Sequence, residues 1–199
     1  MQYYYESSTK TRYTAFQLKS RDQFDKDIRE LLGIFPLSDE KPAHDAKLQQ
    51  LTNERVEADG ETRFKLVWDV EYLDPAAVEM ELLNRVAERR YNEEIRGIEW
   101  EKHRVDTTRD SQSKITNELL AIDKKLRTDG NAWKMKSGDF VVLTNDQFTA
   151  MATAVHMHVS AMFDREAAIQ QLIKNVDTAQ AKHKAFTAAI NEGWGNAAD

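Results

Sequence analysis

Three stretches decide the fold: Val105-Asp106-Thr107, Trp133-Lys134-Met135-Lys136-Ser137-Gly138-Asp139, and His158-Val159-Ser160-Ala161-Met162-Phe163-Asp164-Arg165-Glu166. In chain order they read as a short strand, a hairpin and a long helix, with a helix between the first two. Asp110 or Ser111 can cap that first helix, and Ile115, Leu119, Ile122 and Leu126 recur at the spacing of one helical face. Trp133 and Met135 fall on one strand and Phe140, Val142 and Leu143 on the next, turned by Ser137-Gly138-Asp139. Thr144-Asn145-Asp146-Gln147 has the form of a capping box and opens the last helix. That order of strand, helix, hairpin and long helix gives a compact α+β module.

The last helix carries Phe148, Met151, Ala152, Val155, Val159, Met162, Phe163, Ile169, Leu172, Ile173 and Val176 at a spacing of three and four. The pattern falters at Asp177 and resumes at Phe186 and Ile190. Two readings stand: one continuous helix to about Asn191, or a break near Asp177. A continuous helix of that length usually implies a coiled coil or another assembly contact.

Upstream, Tyr3, Tyr4, Tyr5, Tyr13 and Phe16 alternate loosely with polar residues and predict a short strand or extended arm. Ser20 can cap a helix bearing Phe24, Ile28, Leu31 and Leu32, with Gly33 as its left-handed stop. Pro36 and Pro42 predict an irregular connection over residues 34–47. Asp59-Gly60 between the runs Leu48–Ala58 and Glu61–Leu73 is a strong hairpin signal, because both residues tolerate positive φ. In the second run Phe64, Leu66, Trp68 and Val70 share a face. Asp74-Pro75 then supplies N-cap and N1 of a charged helix whose stripe is Val78, Leu82, Leu83, Val86 and Ile95, ending at Gly97. The expected organisation is an N-terminal module over 1–73, a connecting helix over 74–97 and a C-terminal module over 98–199.

Composition narrows the function classes. The chain has 199 residues, a formal charge of −6 and no cysteine, which removes disulfides, thiolate zinc sites and cysteine nucleophiles. Residues 1–100 hold 15 Lys/Arg against 21 Asp/Glu, and residues 101–199 hold 13 of each, so no basic field invites nucleic acid. No stretch approaches the ~18 apolar residues of a membrane span.

Reactive constellations are equally sparse. His156 and His158 point to faces about 200° apart on a helix, whereas paired zinc ligands need i,i+4. One of them is expected to cap the core edge and the other to face outward. Glu93-Glu94 and Glu99–Glu101 could form an acid/base pair, but a wet, charged helix end is the simpler expectation. There is no Gly-x-Ser-x-Gly elbow, no phosphate-cradling glycine loop and no EF-hand ligand series. The residues predict no catalytic, cofactor or metal site and no small-molecule substrate.

Apolar seams remain as candidate contact surfaces. The aromatic start (Tyr3, Tyr4, Tyr5) and the long-helix stripe (Met151, Val155, Val159, Met162) are the expected protein interfaces. Phe186 and Trp194 join them, Trp194 as either an interface anchor or part of a disordered tail.

The pieces Ile98-Glu99-Trp100, Val105-Asp106-Thr107 with Asp110-Ser111-Gln112-Ser113, Trp133-Lys134, Gly138, Leu143-Thr144, Ala154-Val155-His156-Met157-His158-Val159 and Phe163-Asp164-Arg165-Glu166 are individually weak. Together, over about residues 95–176, they resemble a domain of unknown function common in tail proteins of tailed bacteriophages. That domain often stands at the C-terminal end of tail-fibre and fibre-associated proteins. Members tend to carry glycine in the first strand pair, where this chain has Glu101-Lys102-His103. Pro36-Leu37, Lys41-Pro42, Leu48–Leu51 and Trp68-Asp69-Val70 are similar to the N-terminal portion of such proteins, more loosely. The resemblance implies a virion structural protein of the tail, assembled in the host cytoplasm, acting as an adaptor or a fibre- or baseplate-associated subunit. Its partners would be other tail or fibre proteins and copies of itself. The alternative is a tail-fibre assembly chaperone not retained in the virion.

Overall fold

The computed structural model describes residues 2–195 and has the α+β class expected, with strands leading and helices following. The chain divides into two compact units, Met1–Leu73 and Asp74–Asp199.

The first unit is a five-stranded sheet of order β2-β1-β3-β5-β4: β1 (Tyr3–Glu6), β2 (Thr11–Thr14), β3 (Ile34–Ser38), β4 (Gln49–Ala58) and β5 (Phe64–Tyr72). Only β3 and β5 run parallel, and they pair over just Leu37–Phe64 and Ser38–Lys65. The tyrosine run is therefore no free arm. It is β1, hydrogen-bonded on both sides, with Tyr4 buried beside Leu18 and Ile34. Proline did not break the connection either: Pro36 sits within β3 opposite Tyr4. Pro36 has no N–H to give, and the parallel ladder to β5 begins only at the following residue.

Two short helices lie between β2 and β3. In α1 (Ala15–Lys19), Thr14 and Gln17 form a capping box, and Ser20 is the C-cap rather than the expected N-cap. Phe16 lies in α1, fully out in solvent at 79% exposure. Asp25 caps α2 (Lys26–Leu31), and Gly33 follows its C-cap at φ +68°, the left-handed stop. The β4–β5 hairpin forms as expected through a loop at Asp59–Arg63, where Gly60 takes φ +98°. One extra residue between Thr52 and Arg55 makes a bulge, with Asn53 at φ +50°. Asp69 pins it, accepting from Asn53 Nδ2 (3.0 Å) and Arg55 Nη1 (2.9 Å). Those hydrogen bonds, Asn53 first, hold the Asp69 carboxyl below its ordinary range.

In the second unit α3 (Pro75–Glu94), α5 (Asn145–Lys174) and α6 (Ala179–Ala189) pack on one another. The charged helix is thus no bridge: Val78, Leu82 and Val86 are fully buried in this bundle. Asp74 caps it through Ala76 N, with Pro75 at N1. Between α3 and α5 come a ribbon of β6 (Ile98–Trp100) and β7 (His103–Val105), α4 (Arg109–Asp123), and a second ribbon of β8 (Asn131–Lys134) and β9 (Phe140–Leu143). The turn between β6 and β7 is tight without glycine, because Glu101 takes φ +53°. Thr108, not Asp110 or Ser111, caps α4. Val105, Ile115, Met135, Leu143, Phe148 and Met151 make the core beneath these elements.

Of the two readings of the last helix, the break is realised. Asn175 caps the end of α5 and Thr178 starts α6. Lys182, 5% exposed, donates back to the Ile173 carbonyl (3.1 Å) and to Glu79 Oε2 (2.7 Å). A buried cation thus neutralises the carbonyl end of α5 and ties α6 to α3. At the other end Arg165 donates to the carbonyls of Ala189 (2.7 Å) and Glu192 (2.9 Å).

Candidate functional site

Extending the α3 stripe Val78–Leu82–Val86 by two more turns reaches Arg89, Arg90, Glu93 and Glu94, where an apolar pattern is replaced by charge. These glutamates are not the wet helix end expected: Glu93 is 8% and Glu94 3% exposed. Burial of carboxylates is tolerable only with charge partners and hydrogen bonds. Arg90 supplies them, pairing through Nη1 with Glu94 and through Nε with Glu166 Oε2 of α5 (3.0 Å). Its guanidinium lies 4.5 Å from the centroid of the Phe163 ring. Gln112 Nε2 donates to Glu94 Oε1 (3.0 Å) and to the Thr107 carbonyl (2.8 Å). Glu93 takes Arg89 (2.9 Å) and Arg96 (3.5 Å), and Gln170 steadies Glu166 (3.0 Å).

The carbonyl end of α3 lies at the centre of this network. The last carbonyls of a helix have no partner within it, and here those of Glu93 and Glu94 find one from another element. The Glu93 carbonyl stands 3.1 Å from His158 Nε2, so that nitrogen carries the proton. The Glu94 carbonyl accepts from Thr107 Oγ1 (2.5 Å), which itself accepts from Gly97 N (2.9 Å). Lys136 Nζ donates to the carbonyls of Ile95 (3.1 Å) and Arg96 (2.7 Å). Gly97 is required at φ +92°, since a Cβ there would meet the Val105 carbonyl at 2.8 Å. Asp106 completes the corner: its Oδ2 accepts from Ser111 Oγ (2.6 Å) and Thr108 Oγ1 (2.7 Å), with Lys136 at 3.6 Å. Burial pushes this carboxyl up. The hydrogen bonds from Ser111 and Thr108 outweigh that, and it titrates below its ordinary value.

Thr107, Gln112, Lys136, His158 and Glu166 come from β7's exit, α4, the β8–β9 turn and α5, yet meet at one helix end. Sequence spacing brings none of them together. The available signal was the set of i,i+4 pairs Arg89–Glu93 and Arg90–Glu94 falling on an extrapolated apolar stripe. Chemically the corner is closely matched: its carboxylates meet cations and its donors meet carbonyls and carboxylates, and among the described residues the one buried side-chain nitrogen there without a partner is Arg89 Nε. Among the described residues no three His, Asp or Glu side chains converge as metal ligands. His158 is the histidine at the core edge and His156 the exposed one.

The expected interface residues lie mostly inside the chain. Tyr4 (2% exposed), Met151 (0%), Val155 (3%), Met162 (1%) and Trp194 (5%) are buried. Tyr3, Tyr5, Val159 and Phe186 are half-buried. The physical reason is topological: a strand in mid-sheet and a stripe facing the core and α3 both satisfy apolar periodicity internally. Trp194 folds back, donating Nε1 to the Ile190 carbonyl (2.6 Å), and its neighbour Gly195 lies against Met162. The large apolar side chains left in water include Phe140 (70%) and Val142 (67%). Both stand on the outer face of the β8–β9 ribbon, opposite Lys134 and Ala132.

No curated protein and no solved structure matches the chain. A family model described as Domain of unknown function (DUF4376) matches residues 77–190, more than half of the chain, from the first turn of α3 to the end of α6. The resemblance at residues 95–176 and the whole polar corner at the end of α3 lie inside that match. This chain belongs to the DUF4376 family.

Proposed function

We propose that this chain is a non-enzymatic structural component of a bacteriophage tail, an adaptor or a fibre- or baseplate-associated subunit that works through contacts with other tail proteins and with copies of itself. The observation that carries the reading is how the family domain uses its buried polar groups. Glu93, Glu94, Arg90, Lys182 and Thr107 are each engaged by groups of the same domain and hold helix ends in place. The one buried nitrogen left without a partner there, Arg89 Nε, is a guanidinium N–H, which supplies neither a nucleophile nor a base. The outward side chains Phe140 and Val142 add apolar surface of the kind that protein contacts cover. The link to phage tails rests on the resemblance of the residue 95–176 motifs. Mass spectrometry of purified phage particles is the test, with the chain expected among the tail proteins. Particles that lack it, while it co-purifies with unassembled fibre protein, would replace this reading with the assembly-chaperone one.

A further inference from the structure

The first unit contains a hollow that plays no part in the reading above. Side chains of its two edge strands reach each other: Arg12 on β2 pairs with Glu54 on β4 at 2.5 Å. Glu54 stands within the β4 bulge, where a strand locally bends and twists more strongly. Strand pairing fixes the face that turns inward. Tyr3 stands opposite both Thr14 and Leu37, Leu37 is in register with Phe64, and Leu66 and Trp68 follow Phe64 at alternate positions. Beside the Arg12–Glu54 pair this face leaves a cleft of about 270 Å³, whose apolar lining from this face is Tyr3, Leu37, Leu66 and Trp68.

Its chemistry is specific. Arg12, Lys41, Asp39 and Glu54 line it, two cations against two carboxylates, so the formal charge of the cleft is zero. Lys41 Nζ lies 5.8 Å from the Trp68 ring centroid. Gln17 adds its amide nitrogen as a neutral donor, its oxygen and the Thr14 hydroxyl being engaged in the α1 capping box. A charge-balanced site does not draw an anion or a cation by its field. The aromatic faces offer a platform for C–H groups. The planar carboxylate, amide and guanidinium groups match a ligand rich in paired hydroxyls. A second hollow of about 540 Å³ shares Leu66 and Trp68 and is balanced in the same way, by Arg63 and Lys65 against Glu40 and Asp59. A peptide added as an extra strand would need a free, regular edge. Here the edge strands are bridged, and β4 is bulged and charged.

We propose that this cleft binds a neutral carbohydrate, with one sugar ring stacked on Trp68 and its hydroxyls shared among Asp39, Lys41 and the Arg12–Glu54 pair. The volume, just under the ~300 Å³ at which drug-sized sites begin, suits one ring or a disaccharide.

The test is titration calorimetry on the full chain with glucose, galactose, mannose, N-acetylglucosamine and their β-linked disaccharides. At least one is expected to bind with a Kd between ~0.1 and ~10 mM, the range for a small ligand making few contacts. Trp68→Ala is expected to weaken it by about tenfold or more, and Trp68→Phe to keep most of it, since a stacking face remains. Asp39 and Lys41 are exposed, so Asp39→Asn and Lys41→Ala should leave the circular dichroism unchanged while weakening binding several-fold. The proposal is overturned if no saccharide binds at ~50 mM, or if binding is indifferent to Asp39→Asn and Lys41→Ala in folded protein. It is equally overturned if an oligothymidylate, heparin or an unstructured peptide binds this cleft in preference to every neutral sugar. None of these results touches the tail reading, which rests on the other unit.

Discussion

Arg90 is the residue on which the buried corner depends. Its guanidinium faces Glu94, Glu166 and the Phe163 ring at once, with its side chain only 12% exposed. Arg90→Met keeps the apolar stem but leaves a carboxylate of 3% exposure without its cation. That loss should cost roughly 3–5 kcal/mol, read from the urea midpoint; a cost under ~1 kcal/mol would mean the pair contributes nothing net. Asp106 gives the corner a pH dependence whose sign follows from its depressed titration. Its stabilisation is fully present above the unfolded carboxyl value of about 3.9 and disappears as pH falls through the lower folded value. Acid unfolding curves of Asp106→Asn should therefore be flatter than those of the parent below about pH 4. At this scale the sequence was least legible. Glu93 and Glu94 carry the charges of a surface, and it is the partners Arg89 and Arg96 for the first, and Arg90 and the distant Gln112 for the second, that accompany their burial.

Elements were read more successfully, because their signals are local. Asp74-Pro75, Thr144–Gln147 and Asp59-Gly60 each act within a few residues, and each sits where its own hydrogen bonds require. Ser20 and Pro36 misled for the opposite reason. A serine can end a helix as well as begin one, and a proline is tolerated in a strand whose second neighbour starts one residue later. The break at Asn175–Thr178 was legible as a loss of apolar period, whereas its cause, Lys182 reaching back to Ile173, is a tertiary contact. The junction of α3 and β6 is the element boundary most sensitive to substitution. Gly97→Ala would combine φ +92° with a Cβ 2.8 Å from the Val105 carbonyl, and should lower stability by more than ~1 kcal/mol in thermal unfolding. An unchanged Tm would show that the turn can relax.

For the whole molecule, periodicity located the apolar stripes but not what covers them. Tyr4, Met151, Val155 and Met162 have the pattern of an oligomer seam and are buried by their own chain. The large apolar side chains that stay in water include those on the outer side of the β8–β9 ribbon and Leu126 at 78% exposure. A two-stranded ribbon with one face uncovered is stable only because its other face, Trp133, Val141 and Leu143, joins the core. The decisive measurement is quantitative mass spectrometry of phage particles purified by density gradient and washed in high salt. The account predicts this chain at a fixed ratio to the other tail proteins. Intact, infectious particles that contain none of it would contradict the account.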